Sequence, residues 1–262
     1  MILKRRSFTI MKAVIFALVL REMRGRFSAN RLAAFWFIFE PVAHVAVMLF
    51  IFVVIRNRAL PGVEFAIFLV NGIVPFLLFK NISLKGMEAA NANRGLFAYR
   101  QIKPFDMVAA RTIVEFSLMM CVFIVILFGL RWFFGYDVTI HKPIEWAFIL
   151  AIGCALSFGL ALIFCALISV VPEANMIVRL AYMPLYFLSG VIFPLWLVPS
   201  QFISYLLWNP YVHIIELLRE NSIEYYPVVP QISHIYPLFC AFVALVIGLA
   251  MYRARRLDIV AS

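Results

Sequence analysis

LREMRGRFSANRLAAFWFIFEPVAHVAVMLF, residues 20–50, decides how the rest of the chain is read. A basic segment gives way at Phe27-Ser28-Ala29-Asn30 to a strongly apolar run that holds Glu40-Pro41 and then His44. Between Ala33 and Ile55 there is one acidic residue and no Lys or Arg, so the run is long enough to span a bilayer. Upstream, Arg21, Arg24, Ser28 and Arg31 recur at i, i+3, i+7 and i+10, one face of a continuous helix. The stretch therefore reads as a basic amphipathic helix on the cytoplasmic surface feeding a first membrane span. Residues 1–34 form an N-terminal arm, and residues 35–262 a transmembrane domain.

The composition agrees. A hydrophobic content of 65% and a mean hydropathy of +1.00 exclude an ordinary soluble domain, in which apolar residues make up roughly 45–50%. The net charge of +10 would suit a nucleic-acid partner, but in a membrane protein basic residues mark cytoplasmic loops, and their distribution settles the matter. Cys121, Cys154, Cys165 and Cys240 all lie in apolar runs without disulfide or metal spacing and read as small buried side chains. Lys4-Arg5-Arg6 with the apolar run Ala13–Leu20 resembles a signal peptide. Arg-Glu-Met-Arg-Gly-Arg stands where a small-residue cleavage site is needed, so the segment reads as uncleaved.

Working outward, six spans are expected, at about 35–55, 65–79, 108–130, 144–171, 176–193 and 236–252. The predicted fold is thus all-α and polytopic. An even number of spans places both termini on one side, and 18 of the 23 basic residues fall on that side, which makes it cytoplasmic. Pro41, Pro75 and Pro184 each remove a helix hydrogen bond, either as tolerated kinks or as joints of a bundle that moves. Gly153, Ser157, Ala161, Cys165 and Ser169 repeat every four residues in the fourth span, and Cys240, Ala244 and Gly248 echo them in the sixth. Such small-residue faces allow close helix approach in lipid, and packing within the chain is the favoured expectation.

The loop from Lys80 to Arg111 carries Leu96, Phe97 and Tyr99 on the aqueous side, where they pack back on their own spans or insert into a partner. After Pro194 come two short helical patterns. Asn209-Pro210 is a good helix start, with Tyr211, Ile214, Ile215 and Leu218 on one face and His213, Glu216 and Glu220 on the other. That helix is either interfacial or re-entrant. Tyr182, Tyr186 and Phe193 fall at i, i+4 and i+11, an aromatic face suited to sugar rings or to an interfacial belt. Glu40 and His44 share a face one turn apart, and Arg111 and Glu115 are expected to pair with each other. A charge at the centre of a membrane helix costs about 2.5–3.5 kcal/mol, less near an end, so Glu40 pairs at the cytoplasmic rim or lines a path.

No GxxxxGK[ST] loop, HExxH, CxxC pair or GxSxG occurs, and the four histidines have no metal spacing. Catalysis by this chain is not expected.

In order along the chain, Leu20-Arg21-Glu22, Arg24, Arg26-Phe27, Arg31-Leu32, Trp36 and Glu40-Pro41 resemble the opening of an ABC-2 type polysaccharide exporter permease, of the capsular polysaccharide group. The likeness returns at Lys103-Pro104-Phe105-Asp106, at the run from Phe187 to Pro194, and at Asn209-Pro210 with Glu216-Leu217-Leu218-Arg219-Glu220. It covers nearly the whole chain. It implies a permease in the bacterial inner membrane, working as a homodimer with two copies of a separate ABC ATPase that carries the ATP and Mg; this chain would bind no cofactor, metal or nucleic acid. The implied cargo is a lipid-linked acidic capsular polysaccharide, with periplasmic-spanning and outer-membrane export components as further partners.

The same resemblance assigns ATPase coupling to Arg21, Arg24, Arg94, Leu96, Phe97, Tyr99 and Arg100. It assigns the substrate path to Arg31, Trp36, Glu40, His44, Tyr182, Tyr186 and Phe193, and outer closure by short re-entrant periplasmic helices to Trp208, Asn209, His213 and Glu216. An O-antigen or teichoic-acid permease shares the fold and differs in cargo. A secondary transporter or channel is the reading from another class, and it calls for related halves, of which no repeat is visible.

Charge asymmetry makes the topology testable: a reporter fused after Ser262 should be cytoplasmic and one near Glu224 periplasmic. Opposite labelling would overturn the orientation.

Overall fold

Apolar runs punctuated by proline and glycine form nine α-helices among the residues that the computed structural model describes, 7–28, 31–55, 63–99 and 101–261. They are α1 (Ser7–Ser28), α2 (Arg31–Leu49), α3 (Phe65–Met87), α4 (Pro104–Phe134), α5 (Pro143–Ile168), α6 (Ala174–Leu188), α7 (Ser200–Leu206), α8 (Pro210–Ser222) and α9 (Ile235–Ala261). A π-helical turn, Phe50–Ile55, extends α2, and a 3-10 segment, Asn91–Ala98, follows α3. The protein is a polytopic membrane protein. Four helices, α3, α4, α5 and α9, are long and apolar enough to cross a bilayer; α2 and α6 offer the shorter apolar stretches Phe39–Phe52 and Ala174–Leu188.

Local chemistry sets the boundaries. Pro104 and Pro143 occupy first-turn positions, where their missing N–H removes no helix bond. The Lys103 N–H donates to Asp106 Oδ2 at 3.1 Å, a cap that starts α4, and Gly135 ends it in the left-handed region at φ 71°. The second span does not stop at Phe79: α3 runs on to Met87 because Ile82, Leu84 and Met87 still face the core. Lys80 and Lys85 therefore project from a helix, and the loop between the second and third expected spans shrinks to residues 88–103. The fifth span ends five residues early. Ser189 Oγ donates back to the Leu185 carbonyl at 2.6 Å, and Gly190 adopts φ 67°, which turns the chain out of the helix. At about 22 Å, α6 is shorter than a hydrocarbon core of about 30 Å.

The N-terminal face also differs from expectation. Arg21 and Arg24 lie on α1, but Arg31 opens α2, so the four-position basic face is split between two helices. The apolar run Ala13–Leu20 belongs to the same helix as the basic residues, with Leu18 buried among Ala89, Met107, Val108 and Ala161.

Helix α3 lies at the centre, buried along most of its length against α4, α5 and α8. The small-residue stripe of α5 packs within the chain, and its partner is α3. A Cβ at Gly153 would strike the Phe79 ring, and Ala161 meets Gly86. The Ser83 hydroxyl donates to the Ser157 carbonyl at 3.2 Å, and Ser157 Oγ lies 3.0 Å from Tyr211 Oη. Helix α9 uses a neighbouring face of α5, where Gly159 and Gly248 abut. Outward side chains such as Ile124 and Phe128 on α4 and Phe239 and Phe242 on α9 stay exposed, as a lipid-facing surface requires.

The α5–α9 seam gives a stability test. A Cβ at Gly159 would lie 2.6 Å from the Ala244 carbonyl carbon, whereas one at Gly129 meets nothing within 4 Å. Gly159→Val should cost about 1–3 kcal/mol and lower the thermal midpoint of the solubilised protein, while Gly129→Val stays close to wild type. Equal midpoints would show that the seam does not contribute.

Candidate functional site

Charged side chains at one end of the bundle meet around Glu115 of α4, which is almost fully buried. Lys85 Nζ of α3 lies 2.9 Å from Glu115 Oε2, and Arg26 of α1 pairs with the other carboxylate oxygen. One helical turn away, Arg111 Nε donates to Glu22 Oε1 at 3.0 Å, and Arg111 Nη1 to the Lys85 carbonyl at 2.9 Å. The expected Arg111–Glu115 pair does not form. Both residues point toward α1, and the i, i+4 spacing 22/26 on α1 matches 111/115 on α4, so each bonds across helices.

Beside this cluster lies a cavity of about 270 Å³. Arg26, Lys80, Lys85, Glu40, Glu115 and His44 supply its charged and titratable lining, with Asn81, Pro41 and apolar side chains completing the wall. Three cations face two carboxylates, so the Lys, Arg and Glu side chains of the cavity sum to a net positive charge. No ion pair involves Lys80 among the described residues. His44 Nε2 is 3.4 Å from Tyr186 Oη, their rings meeting edge-on, which ties α2 to α6. The site thus unites Glu40, His44 and Tyr186 of the path residues.

The remaining path residues lie elsewhere. Trp36 is exposed and packs on Phe39 with centroids 5.4 Å apart. Tyr182 turns into the core, beside Ser83 and Tyr211. Phe193 sits beyond the Gly190 bend and so cannot share a helical face with the two tyrosines. The Arg31 side chain and all of Arg100 lie outside the described residues.

The coupling residues are also separated. Arg21 Nη1 donates to Asn93 Oδ1 at 3.0 Å, joining α1 to the 3-10 segment. Leu96 and Phe97 are half-buried against the cluster around Leu18, whereas Tyr99, Arg24 and Arg94 are exposed. Glu88, at the turn before this segment, bonds Arg179 and Asn175 of α6. Partial burial alone would raise the Glu88 carboxyl, but the hydrogen bonds from Arg179 and Asn175 and the charge of Arg179 hold it below the usual range.

At the other end, α8 is buried almost all round, so it is not an interfacial helix with a wet polar face. Arg219, given no role of its own from the sequence beyond its place in the string Glu216–Glu220, is fully buried. Its Nε donates to the Phe68 carbonyl at 3.2 Å, Nη1 to the Gly190 carbonyl at 2.8 Å, and Nη2 to the Val191 carbonyl at 2.7 Å. Nη1 also lies 3.0 Å from Glu216 Oε1, and the guanidinium sits 3.6 Å above the Phe68 ring. Tyr226 Oη donates to the second Glu216 oxygen at 2.7 Å. The i, i+3 spacing of Glu216 and Arg219 was the available signal for this pair.

Around it, Asn209 Oδ1 caps α8 by accepting from the Tyr211 N–H, and Asn209 Nδ2 donates to Ser189 Oγ at 2.9 Å. His213 Nδ1 accepts from the Ser233 N–H at 3.0 Å, which assigns the proton to Nε2, 3.0 Å from the Leu207 carbonyl. Trp208 is exposed, and its carbonyl accepts from Tyr236 Oη at 2.8 Å. His213, Glu216 and Asn209 are thus joints of the fold at this end.

Among the described residues, no group of three or more His, Cys, Asp or Glu side chains is placed to hold a metal ion. The arrangement offers a basic cavity and a helix-bound loop at one end, and a locked polar core at the other.

The sequence profile of the ABC-2 type transporter family matches residues 13–223. The polysialic acid transport protein KpsM of Escherichia coli is 38% identical over 255 residues, covering 96% of each chain. The capsule polysaccharide export inner-membrane protein CtrC of Neisseria meningitidis serogroup A is 26% identical over 255 residues, 94% of this chain and 92% of its own. The corresponding BexB protein of Haemophilus influenzae is 26% identical over 220 residues, 83% and 82% of the two chains.

The buried pair gives the prediction of this end of the molecule. Arg219→Met should destabilise the protein by about 3–5 kcal/mol, because Glu216 is left as an unpaired buried charge. Adding Glu216→Gln should restore part of the lost thermal midpoint; a double variant no better than the single would mean that the pair is not coupled.

Proposed function

The chain belongs to the ABC-2 type transporter family, and on that premise we propose that it is the membrane-spanning permease of an ATP-driven exporter of lipid-linked acidic capsular polysaccharide. The observation that carries the reading is the 38% identity, over 96% of both chains, to a protein named for transport of polysialic acid, an anionic glycan. The inner membrane is the proposed location, in line with the names of the CtrC and BexB relatives.

In this reading six segments cross the membrane, with α2 and α6 as the short spans and both termini cytoplasmic. Residues 1–34 form the cytoplasmic arm, with α1 along the surface, and residues 35–262 the transmembrane domain. Helices α7 and α8 enter and leave from the periplasmic side. The burial of α8 and its capping by Asn209 support that placement over an interfacial one.

The protein works as a homodimer with two copies of a separate ATPase, which hold the ATP and Mg; this chain binds no cofactor. Periplasmic-spanning and outer-membrane components take the glycan onward. Tyr99 and Arg94, exposed on the 88–103 loop, meet the ATPase, while Leu96 and Phe97 pass its movement to α1. Arg21 and Arg24 support that contact, and Arg100 is assigned to it by the family resemblance alone. The basic cavity at Arg26, Lys80 and Lys85 receives the anionic end of the cargo, with Glu40, His44 and Tyr186 lining the same path. Arg31 and Trp36 are assigned to the path by the family resemblance alone. Coulombic attraction toward a low-dielectric wall concentrates an anion there without a tight, slow-releasing fit.

Lys80 isolates this role, since it lines the cavity without an ion pair to a described residue. Lys80→Gln should leave membrane insertion, ATPase retention and thermal midpoint unchanged while lowering surface capsule several-fold. Full capsule with this variant would remove the cavity from the export path.

A further inference from the structure

Beyond the cavity at Glu115, three hollows adjoin one another along the far side of α1. The largest, about 900 Å³, lies between α1 and the last turns of α9, lined by Ile10, Met11, Phe105 and Leu249 and by Lys103, Arg253 and Arg256. Two others, about 410 and 370 Å³, continue along α1 past Ala13, Val14 and Ala17 to Arg21. Gln101 lines all three, so they form one trough.

The trough is two-faced in its chemistry. Leu249, Tyr252, Arg253 and Arg256 fall at i, i+3, i+4 and i+7 on α9, one face that places two guanidinium groups beside an apolar wall. Neither arginine makes an ion pair among the described residues, and both are exposed. Among the described residues lining this end the one carboxylate is Asp106, which accepts from the Lys103 N–H as the α4 cap, so three cations face a single acid. Along α1 the lining then passes Ile10, Ala13, Val14 and Ala17, an apolar strip of about 10 Å over seven residues of helix, with Gln101 beside it.

We propose that this trough holds a resident anionic phospholipid of the surrounding bilayer. Its phosphate sits among Lys103, Arg253 and Arg256, and an acyl chain lies along Ile10, Val14 and Ala17. A neutral protein groove would not need the cations, and a soluble anion would not need the apolar length. Both belong to one amphiphile. The lipid wedges α1 against α9 on a face of α1 next to the one that carries the Glu22–Arg111 and Arg26–Glu115 pairs, so it sets the resting tilt of α1. The proposal rests on the proposed placement of α1 at the membrane surface and of α9 in the membrane, but not on the nature of the cargo.

The test is native mass spectrometry of the full-length protein released from nanodiscs of phosphatidylcholine doped with phosphatidylglycerol. Wild type should retain phosphatidylglycerol in preference to phosphatidylcholine. Arg253→Gln with Arg256→Gln should lower that retention on the order of tenfold. Arg255→Gln, an equal kind of charge loss at an α9 position that does not line the trough, should leave it unchanged. Ile10→Trp, which narrows the apolar part with every charge intact, should also reduce it, and keeps the test open if the double variant does not fold. Equal retention by wild type and both trough variants overturns the proposal, as does equal loss in Arg255→Gln. Retention that vanishes in protein from cells unable to make the exported glycan would show the occupant to be the cargo's lipid end, and would also overturn it.

Discussion

A guanidinium shielded from water fixes one end of this structure. Arg219 reaches carbonyls of α3 and of the bend after α6, a carboxylate of its own helix and the face of Phe68. Removing such a group from water costs several kcal/mol, offset here because its donors are met at close range. The geometry constrains its neighbours in turn. A Cβ at position 72 would lie 2.3 Å from Arg219 Nη2, so α3 carries Gly72 where α8 crosses it. The carbonyls of Gly190 and Val191 are available only because the chain leaves the helix at Ser189 and turns through a positive φ at Gly190. The short α6 and the buried α8 are therefore two consequences of one polar contact.

The other end is joined differently. Helix α1 is held to α4 by Glu22–Arg111 and Arg26–Glu115, and Lys85 of α3 shares the second carboxylate. These pairs are also largely shielded from water, but Glu115 has two cations beside it, Arg26 and Lys85, so one can be lost while the other stays. A helix fastened this way can shift by swapping carboxylates among neighbouring cations, whereas α8 cannot move without leaving Arg219 unmet. The turn at Glu88 adds a second ionic link, to Arg179 on α6. Force applied to the 88–103 loop thus has two routes into the bundle, through Arg21–Asn93 to α1 and through Glu88–Arg179 to α6.

Much of the helical architecture was legible because lipid imposes long apolar runs and lets Pro, Gly and charge mark their ends. Chemistry written in side-chain pairing was harder to read. Arg111 and Glu115 satisfy the i, i+4 rule within α4, yet both bond outward, because α1 supplies better-placed partners that no local spacing reveals. Phe193 looked continuous with Tyr182 and Tyr186 because Ser189-Gly190 is a weak stop in an apolar run; the stop is enforced from afar by Arg219. Leu96 and Phe97 looked unpartnered for the same reason, since the apolar surface that receives them, around Leu18, lies about eighty positions earlier. Glu40 and His44 were legible together because one helical turn is enough to align them, and the cations opposite come from α1 and α3.

The contrast between α3 and α6 carries the functional argument to its last step. Helix α3 is enclosed, while on α6 only Ala174 and Tyr182 are buried, and Met176, Ile177, Leu180, Met183 and Phe187 face outward. A helix of about 22 Å in a core of about 30 Å leaves a mismatch that lipid must thin to meet or that protein must cover. In the proposed homodimer, a second α6 and α2 would cover that face, and Tyr186 and His44 would lie between a fixed core and a movable wall. The bond between those two residues, at 3.4 Å, is long and half-buried, which suits a contact that opens and closes. Motion is thereby directed to the helices with the least packing to lose, while the polar lock at Arg219 holds its own end in register.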